Sequence, residues 1–275
     1  MPEVVERTET LLPGPAEALG GLLGVPVPDL AHGQPLPLLW HWLYLLDRPP
    51  QADLGPDGHP VRGTVPAPPA PGLRRMWAGG RVRTNGPLRC GEAATRRTQV
   101  RSVQSKQGRS GPLTFLVVGH EVRQRGQVVI DEEQDLVYRE PGPLPAPQPA
   151  GQAPVVPPAP DEWAIDISPA LLFRFSALTY NAHRIHYDRD YARDVEGYPG
   201  LLTHGPLQAL AMAEAARARG YHGAPSFEYR LTSPLFDHQG LIARAAPAPD
   251  ATATSVRDRY GRQTAQGRLQ ITPAR

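Results

Sequence analysis

Residues 205–233 read GPLQALAMAEAARARGYHGAPSFEYRLTS, and the change of pattern within this stretch decides the fold class. Gly205 to Arg219 is the clearest helical run in the chain. Pro206 suits the first helical position, where a missing N–H costs little. Ala, Leu, Met and Glu are strong helix formers, and Gly220 supplies the stop. Leu207, Leu210, Ala211 and Ala215 make a stripe of small side chains that can lie close on a sheet. Strand-like runs follow at Ser226–Ser233, Gly240–Ala246, Ala251–Tyr260 and Gln263–Ile271, with turn residues at Asp258–Gly261.

The first half repeats this order. Leu36–Leu46 (LPLLWHWLYLL) is apolar nearly all round and predicts a buried helix, too short to span a bilayer. Strand-like runs cover Ala93–Ser105, Leu113–Arg123 and Gln127–Tyr138, with Arg125 and Gly126 as a tight turn. The acidic run Asp131–Glu133 reads as a solvated strand end, and Trp40, Trp42 and Trp77 as core. A helix followed by antiparallel strands, met twice, is an α+β plan. It implies two sheets, each wrapped around a central helix and set together as a pseudo-dimer. Residue-level repetition between the halves is not evident.

Glu140–Pro160 holds nine prolines and suits neither a helix interior nor a central strand. It reads as a semi-rigid spacer, so the predicted units are 1–145 and 160–275, joined by a Pro-rich linker over 140–160. Arg48–Gly72 is a second Pro/Gly-rich stretch, read as a long loop.

Composition excludes several classes. The formal charge is +2, with no dense basic run, which argues against nucleic acid as the main partner. Lys106 is the only lysine; the remaining positive charge is arginine. Cys90 stands alone, so neither a disulfide framework nor a cysteine metal cluster is expected. The polar, acidic start MPEVVERTET does not read as a signal peptide, and no apolar run of 18 residues occurs. The expectation is a cytoplasmic protein without membrane attachment.

The densest polar cluster is Ser176–Asp190, SALTYNAHRIHYDRD, followed by GYPGLLTHGPL over Gly197–Leu207. The second segment ends at a helix start. Such a start offers unpaired backbone N–H groups and partial positive charge, and a glycine there admits a ligand close to the backbone. A donor of this kind stabilises a carbonyl oxygen that gains negative charge, while a histidine moves protons near neutrality. Base and donor together meet the needs of hydration of an α,β-unsaturated thioester. Water is deprotonated as it attacks Cβ, Cα is protonated, and the thioester oxygen carries enolate character in between.

The run TYNAHRIHYDRDYA, Thr179–Ala192, resembles the signature of the MaoC-like, or (R)-specific enoyl-CoA hydratase, family of hot-dog fold. Its departures look like the subgroup that contains mesaconyl-C4-CoA hydratases and 3-hydroxyacyl-thioester dehydratases. LPLLWHWLYLL, RRMWAGG, SGPLTFLVVGHE and QDLVYRE resemble the first half of the same subgroup, so the likeness runs from about Leu36 to Ile271. It implies two hot-dog domains, with the active site in the second and a non-catalytic first half. His186 falls on the family's catalytic histidine, Asn181 on its catalytic aspartate and His183 on its asparagine. Gly205 falls on its oxyanion donor. The implied substrate is an acyl-CoA or acyl-carrier thioester, with no metal and no separate cofactor; a homodimer is compatible.

A neutral amide cannot accept a proton as a carboxylate does. Asn181 is therefore expected to orient water while His186 carries the proton; a cap or turn role for Asn181 is the alternative. Asp188 is a candidate to fix the His186 tautomer. Arg184, Tyr180, His183 and His204 are the candidate substrate-binding residues, with a surface ion pair open for Arg184 and packing for Tyr180 and His204. His183 and His186 lie three apart, but no third metal ligand has suggestive spacing. The rival functions are a hot-dog thioesterase, which sends water to the carbonyl carbon, and a non-catalytic acyl-CoA binding module.

Overall fold

A computed structural model of the chain describes residues 4–61, 73–108, 111–140, 154–221 and 225–271. The first half runs β1 (Val4–Thr10), α1 (Pro13–Leu23), β2 (Arg74–Thr84), β3 (Ala93–Gly108), β4 (Gly111–Gln124) and β5 (Gln127–Arg139). The second runs β6 (Glu162–Ile165), α2 (Pro169–Leu178), α3 (Gly205–Arg217), β7 (Pro225–Leu231), β8 (Leu241–Ala248), β9 (Ala251–Arg257) and β10 (Gln263–Ile271). All the strands join one antiparallel sheet in the order β1-β3-β4-β5-β2-β7-β10-β9-β8-β6. Counted outward from the centre, each half follows the same internal order, so the repeat absent from the residues is present in the topology. The halves meet where β2 pairs with β7, Gly79 opposite Arg230 through Arg83 opposite Ser226.

The expected strands of both halves are present, and Arg125 (φ 52°) and Gly126 (φ 76°) form the left-handed pair that closes the β4–β5 hairpin. Helix α3 starts at the expected Gly205 and is buried along most of its length, from Leu207 to Ala216. Its alanines let it lie against β8, β9 and β10, which makes it the core helix of the second half.

The first half departs from expectation. Leu36–Leu46 is buried in large part, yet only Trp40–Leu43 is helical, as a 3₁₀ turn. Leu39 (φ 69°) and Leu45 (φ 56°) take left-handed backbone on either side, which no helix accommodates. Trp40 donates from Nε1 to Glu214 Oε1 on α3 at 2.8 Å, tying this turn to the second half. Glu132 corrects the solvated reading of its acidic run: it is 2% exposed and accepts from Trp42 Nε1, while its Oε2 lies 2.8 Å from His41 Nε2. Burial opposes its ionisation, but the His41 hydrogen bond and the charges of His41 and His120 outweigh this and hold the carboxyl low. Trp42 and Trp77 are partly buried against the core, and Trp40 is fully buried.

Of the linker, Glu140 and residues 154–160 are described and carry neither helix nor strand; 141–153 lie outside the described residues. Of the Arg48–Gly72 loop, residues 48–61 are described; they fold into a compact excursion closed by a bridge between Leu54 and Pro60. No helix among the described residues is long and apolar enough to cross a membrane.

Candidate active site

The site grows from the turn that ends α2. Thr179 returns both its N–H and its hydroxyl to Phe175 O, at 3.0 and 2.8 Å. Tyr180 adopts φ 52°, and Asn181 Oδ1 accepts from His183 N at 3.0 Å. These are the local bonds Thr and Asn make where a helix gives way to a turn. They lead into a 3₁₀ turn, Arg184–His186.

His186 is buried, with Nδ1 2.7 Å from Leu202 O. A carbonyl oxygen only accepts, so Nδ1 carries the proton and Nε2 keeps its lone pair. Asp188, the expected partner, accepts instead from Arg184 and from Tyr191 N. Burial lowers the imidazole to about 4, with the Leu202 bond acting in the opposite sense. Nε2 has no protein partner among the described residues and is not sealed from solvent. The ring is therefore a neutral, reachable base.

The His204 ring stacks on His186, centroids 3.6 Å apart at 19°. His204 caps α3 and Gly205 is its first residue, so the stack sets the base beside the open end of the helix. Gly205 is glycine for lack of room: a Cβ there would lie 2.3 Å from Leu231 Cδ1 and 3.6 Å from Trp77 Cβ. Trp77 belongs to β2, so the first half forms one wall.

The other expected residues divide. His204 has no exposed surface; its Nε2 lies 2.8 Å from Ser176 Oγ and Phe175 packs against its ring. It backs His186 and is not placed to touch substrate. Tyr180 stands half exposed. Arg184 pairs with Asp188 at 2.8 Å, lies over the Tyr191 ring and donates to Pro56 O, which commits it to structure. His183 is buried, edge-on to His186 at 5.4 Å, and meets the His59 ring at 3.9 Å. Burial first, then the nearby His59, His186 and Arg75, keep it well below the ordinary histidine range.

The sequence carries no sign that ties His59 to this site, because its loop lies far away in the chain. Asp57 and Gly58 form the turn that delivers it. Gly58 has φ 86°, and a Cβ there would stand 1.9 Å from Ala182 O. Arg184 N donates to Asp57 O at 2.9 Å, locking the two loops together. A Pro-Asp-Gly-His turn was the available signal, but nothing in it says which surface it meets. Ligand atoms of Asp57, His59 and His183 lie within 4.8 Å of one another, a possible metal trio. Asp57 Oδ2 already sits 3.1 Å from His59 Nδ1, and the Arg75 charge acts on both histidines. A neighbouring guanidinium makes this a poor seat for a dication. A surface groove of about 480 Å³ over β7–β10 contains none of these residues.

The family model described as hydroxyacyl-thioester dehydratase type 2 matches residues 39–237. The chain belongs to the hydroxyacyl-thioester dehydratase type 2 family. The matched span holds the Trp40 turn, the His59 loop and the whole His183–Gly205 site. The chain is 51% identical over 230 residues to mesaconyl-C(4)-CoA hydratase of Chloroflexus aurantiacus, covering 82% of this chain and 79% of that one. HtdX of Mycobacterium tuberculosis superposes with a TM-score of 0.69 at 15% identity, over 98% of this chain and 100% of that chain. A second M. tuberculosis protein, described as a double hotdog fold, gives a TM-score of 0.54 at 17% identity over 98% and 94%. The two structural likenesses concern the fold, and they bear out the paired hot-dog reading. The MaoC-like resemblance of the TYNAHRIH run and of the first-half motifs stands with them.

Proposed function

We propose that the chain is a hydro-lyase that reversibly adds water across the double bond of an α,β-unsaturated acyl thioester, with one active site, in the second half. The observation that carries this is the neutral His186, its Nδ1 committed to Leu202 O and its Nε2 open beside the N-terminus of α3. Nε2 takes a proton from water as the water oxygen bonds to Cβ. The displaced π electrons move onto the thioester oxygen, where the first amides of α3, that of Gly205 foremost, stabilise the charge. As the enolate collapses, Cα takes the proton from Nε2, and the histidine is neutral again. Asn181 Oδ1 is engaged by His183 N, so its amide N–H donors are what it offers to water. No metal or redox step is needed; CoA enters as part of the substrate. The first half, through Trp77 and the His59 loop, shapes the acyl channel. The 51% identical relative makes mesaconyl-C4-CoA the first acyl group to try.

The test follows loss of enoyl absorbance on crotonyl-, longer enoyl- and mesaconyl-C4-CoA, with a thiol trap in parallel. His186→Ala is expected to lower the rate at least ~10²-fold, the low end for a positioned acid/base. Asn181→Ala is expected to cost less. Rapid thiol release without a hydroxyacyl product would instead mark a thioesterase.

A further inference from the structure

Arg75 of β2 is a cation without a counter-ion among the described residues. Arg74 is neutralised by Glu196, Arg81 by Glu133 and Asp135, and Arg184 by Asp188, whereas Arg139, opposite Arg74 on β5, shares with Arg75 the lack of an ion pair among the described residues. Among the described residues Arg75 has no hydrogen bond and no ion pair; only the longer-range fields of Tyr138, Asp57 and Asp47 favour its charge. Burial acts against it, yet its nitrogens are not sealed off from solvent. A desolvated, unpaired cation is costly to keep, and a structure that keeps one has something for it to meet.

Its position says what. Side chains two apart on a strand share a face, so Arg75 and Trp77 look the same way, and Trp77 Cβ is the wall beside Gly205. One strand repeat, roughly 7 Å, separates the two positions. His59 and His183, their rings 3.9 Å apart, are both held neutral by burial and both sense the Arg75 charge. Amide donors and a base thus stand at Gly205 and His186, and farther along the Trp77 face of β2 lies an unpaired guanidinium whose field reaches two neutral imidazoles.

We infer that Arg75 binds a free carboxylate at the far end of the acyl group, which makes the preferred substrate class a short enoyl thioester bearing a second, ionised carboxyl. The orientation rests on the hydration reading, which places the thioester at Gly205. A planar fork suits a carboxylate in two-point contact, so lysine is an incomplete substitute.

Two measurements test it on the full chain. The first is the ratio of kcat/KM for mesaconyl-C4-CoA over crotonyl-CoA, which cancels any general damage from the substitution. Arg75→Met is expected to collapse this ratio about 10²-fold, as loss of a charge-assisted pair does, and Arg75→Lys to retain part of it. The second is calorimetric binding of succinyl-CoA against butyryl-CoA, which needs no turnover. Wild type is expected to favour succinyl-CoA, and Arg75→Met to erase the preference. Equal weakening of both ligands would mean that Arg75 reads the CoA they share, and an unchanged ratio would mean that it reads nothing; either result overturns the assignment. An Arg75-dependent binding preference in a protein that hydrates neither enoyl-CoA would keep the carboxylate site and discard the hydratase.

Discussion

His186 gains its working state from burial and a backbone carbonyl. With its pKa lowered to about 4 and Nε2 free, it is unprotonated throughout the neutral range. The acid limb of kcat/KM, which reports the free enzyme, is therefore expected near 4 to 5 and not near the ordinary histidine value. A limb centred at about 6.5 would mean that the base is solvated and the burial argument is wrong. Much at this scale was legible in the chain. Thr179, Asn181, His183 and His186 declare a polar turn before a glycine-led helix. The partner of Nδ1 was not, because a backbone carbonyl sixteen residues on carries no side-chain signature, whereas Asp188 is a carboxylate two residues away that pairs with Arg184 instead. Arg75 was equally hidden: its distinction is an unpaired guanidinium on the Trp77 face of β2, and one arginine among many shows that only in three dimensions.

Between elements, the critical join is the loop carrying Asp57, Gly58 and His59 against the turn at Ala182–Arg184. Gly58→Ala would force a left-handed residue and drive a methyl group into Ala182 O. Backbone cannot yield as a side-chain tip can, so a loss of about 1–3 kcal/mol is expected from denaturant unfolding. KM should rise with it, because His59 would lose its seat against His183 beside the His186 site. Unchanged stability would show that the loop is not docked as described. Strands β3, β4 and β5 were readable because β-branched and aromatic residues recur along them, and α3 because helix formers run between a proline and a glycine. Helix α1 is not legible because Pro13, Gly14, Pro15, Gly20 and Gly21 contradict helical propensity. The reverse error over Leu36–Leu46 has the same root. Apolarity reports burial, and the backbone at Leu39 and Leu45 breaks the helix without leaving a mark in the composition.

At the scale of the whole molecule, folding withdraws five of the described histidines from water in their neutral form. His59, His120, His183, His186 and His204 all lie below the ordinary histidine range, burial being the first cause in each. The unfolded chain binds protons at these groups below about 6.5, and the folded chain does not until lower pH, about 4 for His186. Their neutral burial is thus without penalty above 6.5, and stability falls as pH drops through that window. Each histidine contributes a slope of about 1.4 kcal/mol per pH unit there. Urea midpoints at pH 7.5 and 5.5 should differ accordingly, and coincident midpoints would show these side chains to be solvated. The sheet order explains why the paired architecture could be expected while its seam could not. Hydrophobic pattern marks strands, but the pairing of β2 with β7 joins residues about 150 apart.

That seam has a consequence for how selectivity is distributed. In an assembly of two identical half-length chains, every substitution is made twice and both clefts change in step. Here the edges that meet are unlike in sequence, and a covalent tether keeps them in fixed proportion. A guanidinium can be installed on one side of the junction to sort acyl groups by charge, while the other side is released from copying it.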